Sequence, residues 1–271
     1  MKLAGKRVLL TGATGGIGRH LALKLAAQGA ELALVCFDAH KLNALADVIA
    51  ARGGKASVIV ADFNHAHAAQ GVADAARVKM GGVDVLVNNA GILDFVRFAE
   101  QSPERIAQMV QVNLTVPLQL TRALLPDFIA RDSGQIVNIG SIFGSIGFPH
   151  YASYSATKFA MRGFSQALRR ELAGYDIAVT YVAPRAVKTP INDDVATEMF
   201  KATGTNLDEP EYVAEKILQA MLRGNRDSYI GQPESLFAWL NGFLPSLVSM
   251  GLKKQTEIAR PYASRSRATP K

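Results

Sequence analysis

Tyr154 and Lys158 stand four residues apart in Tyr154-Ser155-Ala156-Thr157-Lys158, within a segment of helical pattern, so their side chains share one face. A free phenol, with a pKa of about 10, is a poor base at neutral pH, and a neighbouring ammonium favours its phenolate. The pair can therefore carry a proton to or from a substrate oxygen. That spacing is common on surface helices and gains weight only from its company. Ser141 supplies a hydroxyl able to hydrogen-bond a substrate oxygen where charge changes. Asn113 adds an amide from inside a long helical stretch.

Short aliphatic runs alternating with longer helical ones must position these groups, and that alternation implies βαβ units and a parallel sheet. Strands are predicted at Arg7–Thr11, Glu31–Cys36, Ala56–Val60, Val83–Val87, Gly134–Ile139, Ile177–Val182 and, more weakly patterned, Ser228–Ile230. Helical patterns fall at His20–Gln28, His40–Arg52, His65–Met80, Pro103–Arg131, Tyr151–Ala173 and Pro210–Arg223. The strand runs are mostly continuous rather than alternating, as in a sheet covered on both faces. The reading is an α/β fold with one doubly wound domain. Residues 1–232 form its body, and 233–271 form a helical extension and basic tail of the same domain. Fixed-period repeats, low-complexity linkers and bilayer-length apolar runs are absent from the sequence.

The first strand runs into Thr11-Gly12-Ala13-Thr14-Gly15-Gly16-Ile17-Gly18, and an amphipathic helix follows. A tight turn, close approach of backbone to a pyrophosphate, and helix packing on the strand each call for glycine there. The helix N-terminus offers unpaired N–H groups and a positive dipole end to the phosphates. Gly12, Thr14, Gly16, Ile17 and Gly18 are thus candidate dinucleotide contacts. At the carboxyl ends of neighbouring strands come Asp62, able to accept from an adenine amino group, and Asn88-Asn89-Ala90-Gly91, able to line a ribose and brace the sheet. Plain turns favour the same residue types.

Glycine-rich turn, Asn-Asn-Ala-Gly, Asn113, Ser141, Tyr154 and Lys158, in this order and context, resemble the short-chain dehydrogenase/reductase family over roughly residues 5 to 231. The resemblance implies a Rossmann-type, mostly parallel, seven-stranded sheet that carries both cofactor and substrate sites. It implies a hydride transfer between a nicotinamide and a secondary alcohol or carbonyl, with a hydrophobic substrate. Tyr154 would exchange the proton; Lys158 would lower the tyrosine pKa and hold the nicotinamide ribose. Ser141 would orient the substrate oxygen, and Asn113 would bend its helix around a proton-relaying water. Pro184, Val187 and Thr189 match the segment that meets the nicotinamide. All four reacting residues are present, which places catalysis ahead of the alternative, a non-catalytic cofactor-binding protein acting through a partner or membrane.

Two departures stand out. Arg185 replaces the glycine that usually follows the proline; an arginine with a packed stem and solvated guanidinium is favoured over a cation serving the reacting centre. At the end of the second strand the cofactor-choice position reads Cys36-Phe37-Asp38, with Asp38 one step later than the usual acid and Lys41 the nearest cation. A carboxylate there can accept from a ribose hydroxyl and repel a 2′-phosphate. NAD is favoured, and NADP is not excluded.

The formal net charge of +7 is concentrated in the tail, where Lys253, Lys254, Arg260, Arg265, Arg267 and Lys271 face only Glu257. The remainder is near balance and has no basic stripe with interleaved aromatics, which argues against nucleic acid. His65 and His67 lack further ligands and read as solvated helix-start residues rather than a metal site; His150, a loop histidine, is left outside the site. The single cysteine, Cys36, reads as a buried thiol, and with no signal-peptide pattern the expectation is a cytoplasmic protein. Beyond Pro233, Leu236, Phe237, Leu240, Phe243 and Leu244 recur at helical spacing, with Trp239 beside them. This face is expected to cover a hydrophobic substrate pocket or a homodimer or homotetramer contact, and to touch membranes at most peripherally.

Overall fold

The computed structural model describes residues 2–65 and 67–265. Ala66 between the two histidines, and Arg267 and Lys271 of the basic tail, lie outside the described residues. Strands β1 (Arg7–Thr11), β2 (Glu31–Cys36), β3 (Lys55–Val60), β4 (Val85–Asn88), β5 (Gly134–Ile139), β6 (Ile177–Pro184) and β7 (Asp227–Ile230) make one sheet in the order β3-β2-β1-β4-β5-β6-β7. Every neighbouring pair is parallel. Between and beyond them run α1 (Gly16–Ala27), α2 (Ala39–Ala51), α3 (Ala68–Met80), α4 (Pro103–Val110), α5 (Val116–Ala130), α6 (Ala152–Glu171), α7 (Asp194–Thr203), α8 (Pro210–Arg223), α9 (Glu234–Asn241) and α10 (Pro245–Ala263).

Alternate residues of each central strand feed opposite cores. Val8, Leu10, Leu32, Leu34, Val85 and Val87 meet α1, α2 and α8 through Leu21, Leu25, Leu42, Ile49, Val213 and Ile217. Leu9, Ala33, Val35 and Leu86 meet α3, α5 and α6 through Val72, Ala76, Val116, Leu120, Leu124 and Leu168. Both faces being dry, a strand gains nothing from polar alternation, which is why the aliphatic runs are continuous.

Three differences from the sequence reading matter for the site. The stretch expected as one helix over 103–131 is split by a π-helical turn at Gln111–Thr115, with Asn113 in its middle. A π turn leaves backbone groups out of the regular ladder and widens the helix locally, and sequence periodicity does not register one inserted residue. Helix α7 was not anticipated; Asp193 caps it by accepting from the Ala196 amide at 2.6 Å. Finally, α1 starts at Gly16 rather than His20, because its first turn is made of glycines that carry no helical signature.

The extension also differs. Leu236, Phe237, Trp239, Phe243 and Leu244 are exposed on the chain, so they do not cover a substrate pocket of their own subunit. Helix α9 lies down on its small side: Ala238 and Leu240 pack with Ile142 and Ile146, and Asn241 Nδ2 donates to the Ser145 carbonyl at 2.8 Å. With the small face inward, the bulky residues stand outward. Cover for the apolar cluster near Tyr154 comes instead from the far end of α10, through Ala259, Ala263 and Tyr262.

Candidate active site

Strand order reverses between β1 and β4, the switch point at which an open α/β sheet has its ligand crevice. On its β1 side Gly12 takes φ +63°, and a Cβ at that position would come within 2.8 Å of Ala90 Cα. At Gly18 a Cβ would overlap the Gly12 carbonyl oxygen at 2.1 Å. Only glycine lets this turn, the following helix and the β4 loop approach so closely. Gly15 caps α1 with no side-chain bond, and the first turn carries no acid, so the opening amides keep their capacity for an anion. Ile17 packs on the core, and Thr14 donates from Oγ1 to Cys36 Sγ at 2.9 Å, tying the turn to the end of β2. That thiol is half-buried rather than fully buried.

Asn89 braces the turn from across the crevice. Its Nδ2 donates to the Thr11 and Gly12 carbonyls at 3.0 and 3.1 Å, and the amides of Asn89 and Ala90 both donate to Thr11 Oγ1 at 3.0 Å. Behind it Asn88 Nδ2 donates to Asn138 Oδ1 at 2.8 Å, and Asn138 Nδ2 to Ser165 Oγ at 2.9 Å, linking β4, β5 and α6. Asp62 closes an Asx-type turn by accepting from the Asn64 amide at 2.9 Å, with the His65 imidazole at 3.7 Å. Asp38 caps α2 by accepting from the Lys41 amide at 3.0 Å and pairs with Lys41 Nζ at 3.2 Å. The bonds from Lys41 hold its carboxyl below the usual range. Beside it Phe37 is 72% exposed.

Helix α6 begins immediately after the β5 loop, which brings Tyr154 and Lys158 against Ser141. Lys158 is 5% exposed, donates from Nζ to the Ile139 carbonyl at 2.9 Å, and sits 5.5 Å from the Tyr154 ring centroid. Ser141 Oγ accepts from the Phe143 amide at 3.1 Å and bonds the Tyr154 phenol. Burial pushes the phenol up to about 12, opposed by the Ser141 bond, and pushes Lys158 down to about 8. Desolvation therefore outweighs the activation of phenol by ammonium that the spacing suggested.

Asn113 is clamped in the π turn: Oδ1 accepts from the Ile92 amide at 2.8 Å, while Nδ2 donates to the Ile92 carbonyl at 2.8 Å and to Thr157 Oγ1 at 3.2 Å. A Cβ on Gly91 would lie 3.4 Å from Asn113 Oδ1 and 3.7 Å from Lys158 Nζ, so the glycine keeps the space between them open. Pro184 ends β6, Val187 is buried and bridges to Asp208, and Thr189 lies over the start of α1, where a Cβ on Gly16 would meet its Cγ2 at 2.4 Å.

Tyr181 escaped the sequence reading. Fully buried in β6, it donates to the Ser141 carbonyl at 3.3 Å, and Gly140 and Gly144 have no side chain because its ring fills their space. The glycines flanking Ser141 were the available signal. An apolar cluster of Phe95, Tyr151, Met199 and Phe200 adjoins Tyr154 through Phe143, whose ring stacks on Phe148 at 5.1 Å and meets Tyr154 edge-on at 6.2 Å. His150 Nε2 is buried without a hydrogen-bond partner, and burial lowers its pKa, so the imidazole is neutral.

Arg185 corrects the expectation of a solvated guanidinium. It is 16% exposed and binds Asp208 through Nε and Nη2 at 3.0 and 2.7 Å, and Glu234 and the Gln232 carbonyl through Nη1 at 3.0 and 2.8 Å. The arginine thus pins the start of α9 to the segment before α8. Removing one side of so enclosed a pair leaves carboxylates unanswered. Arg185→Met is expected to lower unfolding free energy by about 2–4 kcal/mol, read from urea denaturation. A loss below about 0.5 kcal/mol, the scale of an exposed pair, would contradict this assignment.

The short chain dehydrogenase family model matches residues 6–199. Oxidoreductase UcpA of Escherichia coli (strain K12) is 32% identical over 265 residues, covering 93% of this chain and 99% of that protein. A short-chain dehydrogenase from Sphingobium yanoikuyae, solved with NADPH, is 29% identical with a TM-score of 0.79, covering 90% of this chain and 95% of the other. A Burkholderia phymatum relative solved with NAD superposes with a TM-score of 0.82 at 23% identity, covering 91% and 96% of the two chains. With the crevice and its glycine turn in place, the chain belongs to the short-chain dehydrogenase/reductase family of NAD(P)-dependent oxidoreductases.

Proposed function

We infer that the protein interconverts a hydrophobic secondary alcohol and the corresponding carbonyl, with Tyr154 as the acid/base. The observation that carries this is the convergence of Tyr154, Ser141 and Lys158 at the crevice, next to an apolar cluster. A nicotinamide dinucleotide, when bound, supplies or accepts the hydride. The residues present fit one: the Gly12–Gly18 cradle admits no Cβ at its tightest points, and the open amides of α1 suit a pyrophosphate. Asn89, Ala90 and Gly91 would line the adenosine ribose, Asp62 the adenine, Lys158 the nicotinamide ribose, and Pro184, Val187 and Thr189 the carboxamide. Exposed Phe37 and Val60, at the ends of β2 and β3, offer an apolar rim to the adenine.

In the reducing direction Tyr154 donates its phenolic proton to the substrate oxygen while Ser141 donates a hydrogen bond to the same oxygen. Tyrosine at about 12 is protonated at neutral pH and ready for this. Lys158, at about 8, returns the proton to the phenolate side, and a water between Lys158 and Asn113 would carry the relay onward. Purified protein incubated with alcohols and ketones of graded hydrophobicity should change the absorbance of reduced nicotinamide. Cofactor binding without turnover across that panel would favour the non-catalytic reading instead.

NAD is the favoured cofactor. Asp38 stays ionised at the rim beyond β2, and a 2′-phosphate there would meet a like charge only partly answered by Lys41. Asp38→Arg should shift the ratio of kcat/KM toward NADP by about tenfold or more, tenfold being about 1.4 kcal/mol. A natural protein that prefers NADP would refute the assignment.

A further inference from the structure

The outer side of α9 and the first half of α10 forms one apolar surface. Trp239 (64% exposed), Phe243 (70%) and Met250 (73%) stand outward with Leu236, Leu244 and Leu247. The Trp239 and Phe243 rings touch, 5.2 Å between centroids. So much clustered apolar surface marks a contact. It cannot be satisfied by turning the helices over, because their other side is already engaged: Ala238 and Val248 pack with Ile142 and Ile146, and Asn241 holds the Ser145 carbonyl.

Charge selects what the surface meets. From Ser235 to Thr256 the chain contains no Asp or Glu, and its only charged residues are Lys253 and Lys254. Both are exposed, and they follow Met250 by three and four residues, on the same side of α10. Exposed Arg260 lies two turns further along. A two-fold contact between copies sets a patch against itself and would bring Lys253, Lys254 and Arg260 of both copies together with only Glu257 beside them to answer the charge. An anionic lipid surface answers both features at once: aromatic and aliphatic side chains enter the headgroup boundary, and lysines meet lipid phosphates.

We propose that this α9–α10 face docks the enzyme peripherally on anionic membranes. Among the described residues no helix is long and apolar enough to cross a bilayer, so the contact is interfacial. The far end of α10 reaches the apolar cluster beside Tyr154 through Ala259 and Ala263, so one helix joins the docking face to the candidate site.

The chain has a single tryptophan, and it lies in the patch, so its fluorescence reports docking directly. Full-length protein is mixed with vesicles of phosphatidylcholine alone or of phosphatidylcholine with phosphatidylglycerol. The expected result is a blue shift and co-sedimentation with the anionic vesicles, weakening as salt is raised. Lys253→Glu with Lys254→Glu should reduce partitioning by about tenfold or more. Phe243→Glu should reduce it likewise while leaving turnover of a soluble carbonyl substrate unchanged. Absence of binding to anionic vesicles overturns the proposal, as does equal binding to both vesicle types that ignores the lysine substitutions. A dimer in size-exclusion chromatography that Phe243→Glu dissociates, without vesicle binding, assigns the patch to a second copy. The vesicle-binding and sizing outcomes are read without any cofactor, so they succeed or fail separately from the oxidoreductase reading.

Discussion

Tyr154→Phe is expected to lower kcat by about 10²–10⁴-fold, the range for deleting a general acid/base. The substitution keeps the ring that meets Phe143 edge-on and removes one oxygen, so packing is preserved and cofactor affinity should change little. What disappears is the proton that the proposed mechanism transfers to the substrate oxygen. Ser141 cannot replace it, because a serine hydroxyl beside the Phe143 amide has no neighbouring base to recharge it. Direction matters as well. A phenol at about 12 favours the protonated form, so carbonyl reduction by the wild type should hold level through neutral pH and decline only on the alkaline side, while alcohol oxidation should climb as pH rises. Steady-state kinetics in both directions, followed by nicotinamide absorbance, would check both statements. A phenylalanine variant within about tenfold of wild type would take the role of acid/base away from Tyr154.

Much of this arrangement was legible before any coordinates, for physical reasons that differ from element to element. The strands were visible because both faces of the sheet are dry, which writes continuous aliphatic runs such as Leu32–Val35 into the chain. The glycine turn was visible because each glycine answers a steric demand that no other residue meets, as at Gly12 and Gly18. Tyr154, Lys158, Ser141 and Asn113 were singled out as candidates through order and company. Their coupling was not legible: the Ile139 carbonyl that holds Lys158 and the Ile92 backbone that clamps Asn113 are main-chain groups, equally present at every position of any sequence. Arg185 was misread because its partners lie 23 and 49 positions away, and nothing in the local sequence shows that Asp208 and Glu234 converge on it. That the apolar face of α9 turns away from the substrate site of its own chain was not legible for a related reason. Periodicity identifies an apolar stripe, but small Ala238 and polar Asn241 decided which side faced the protein.

Lys158→Met should produce an enzyme that is more stable and nearly inactive. Lys158 is charged in a place that resists charge: burial draws its pKa from 10.5 down to about 8. The unfolded chain therefore binds more protons than the folded one between pH 8 and 10.5, and through this group stability rises with pH across that window. Below pH 8 the penalty is present in full, and at about 1.4 kcal/mol per unit it comes to about 3 kcal/mol. Methionine has a similar length and carries no charge, so it removes the penalty while surrendering the bond to the Ile139 carbonyl, about 1 kcal/mol. The net expectation is a gain of about 1–2 kcal/mol for the cofactor-free protein at pH 7. The gain should vanish as pH rises through 10.5, above which folded and unfolded wild type both hold a neutral lysine. Activity should fall by at least about 10²-fold, because the proposed proton return to Tyr154 and the proposed ribose contact would go together. Urea unfolding of both proteins at pH 7 and pH 10 separates the two contributions. A methionine variant less stable than wild type at pH 7 would mean that the ammonium is fully satisfied where it sits, and that the site does not hold a destabilising charge for the sake of the reaction.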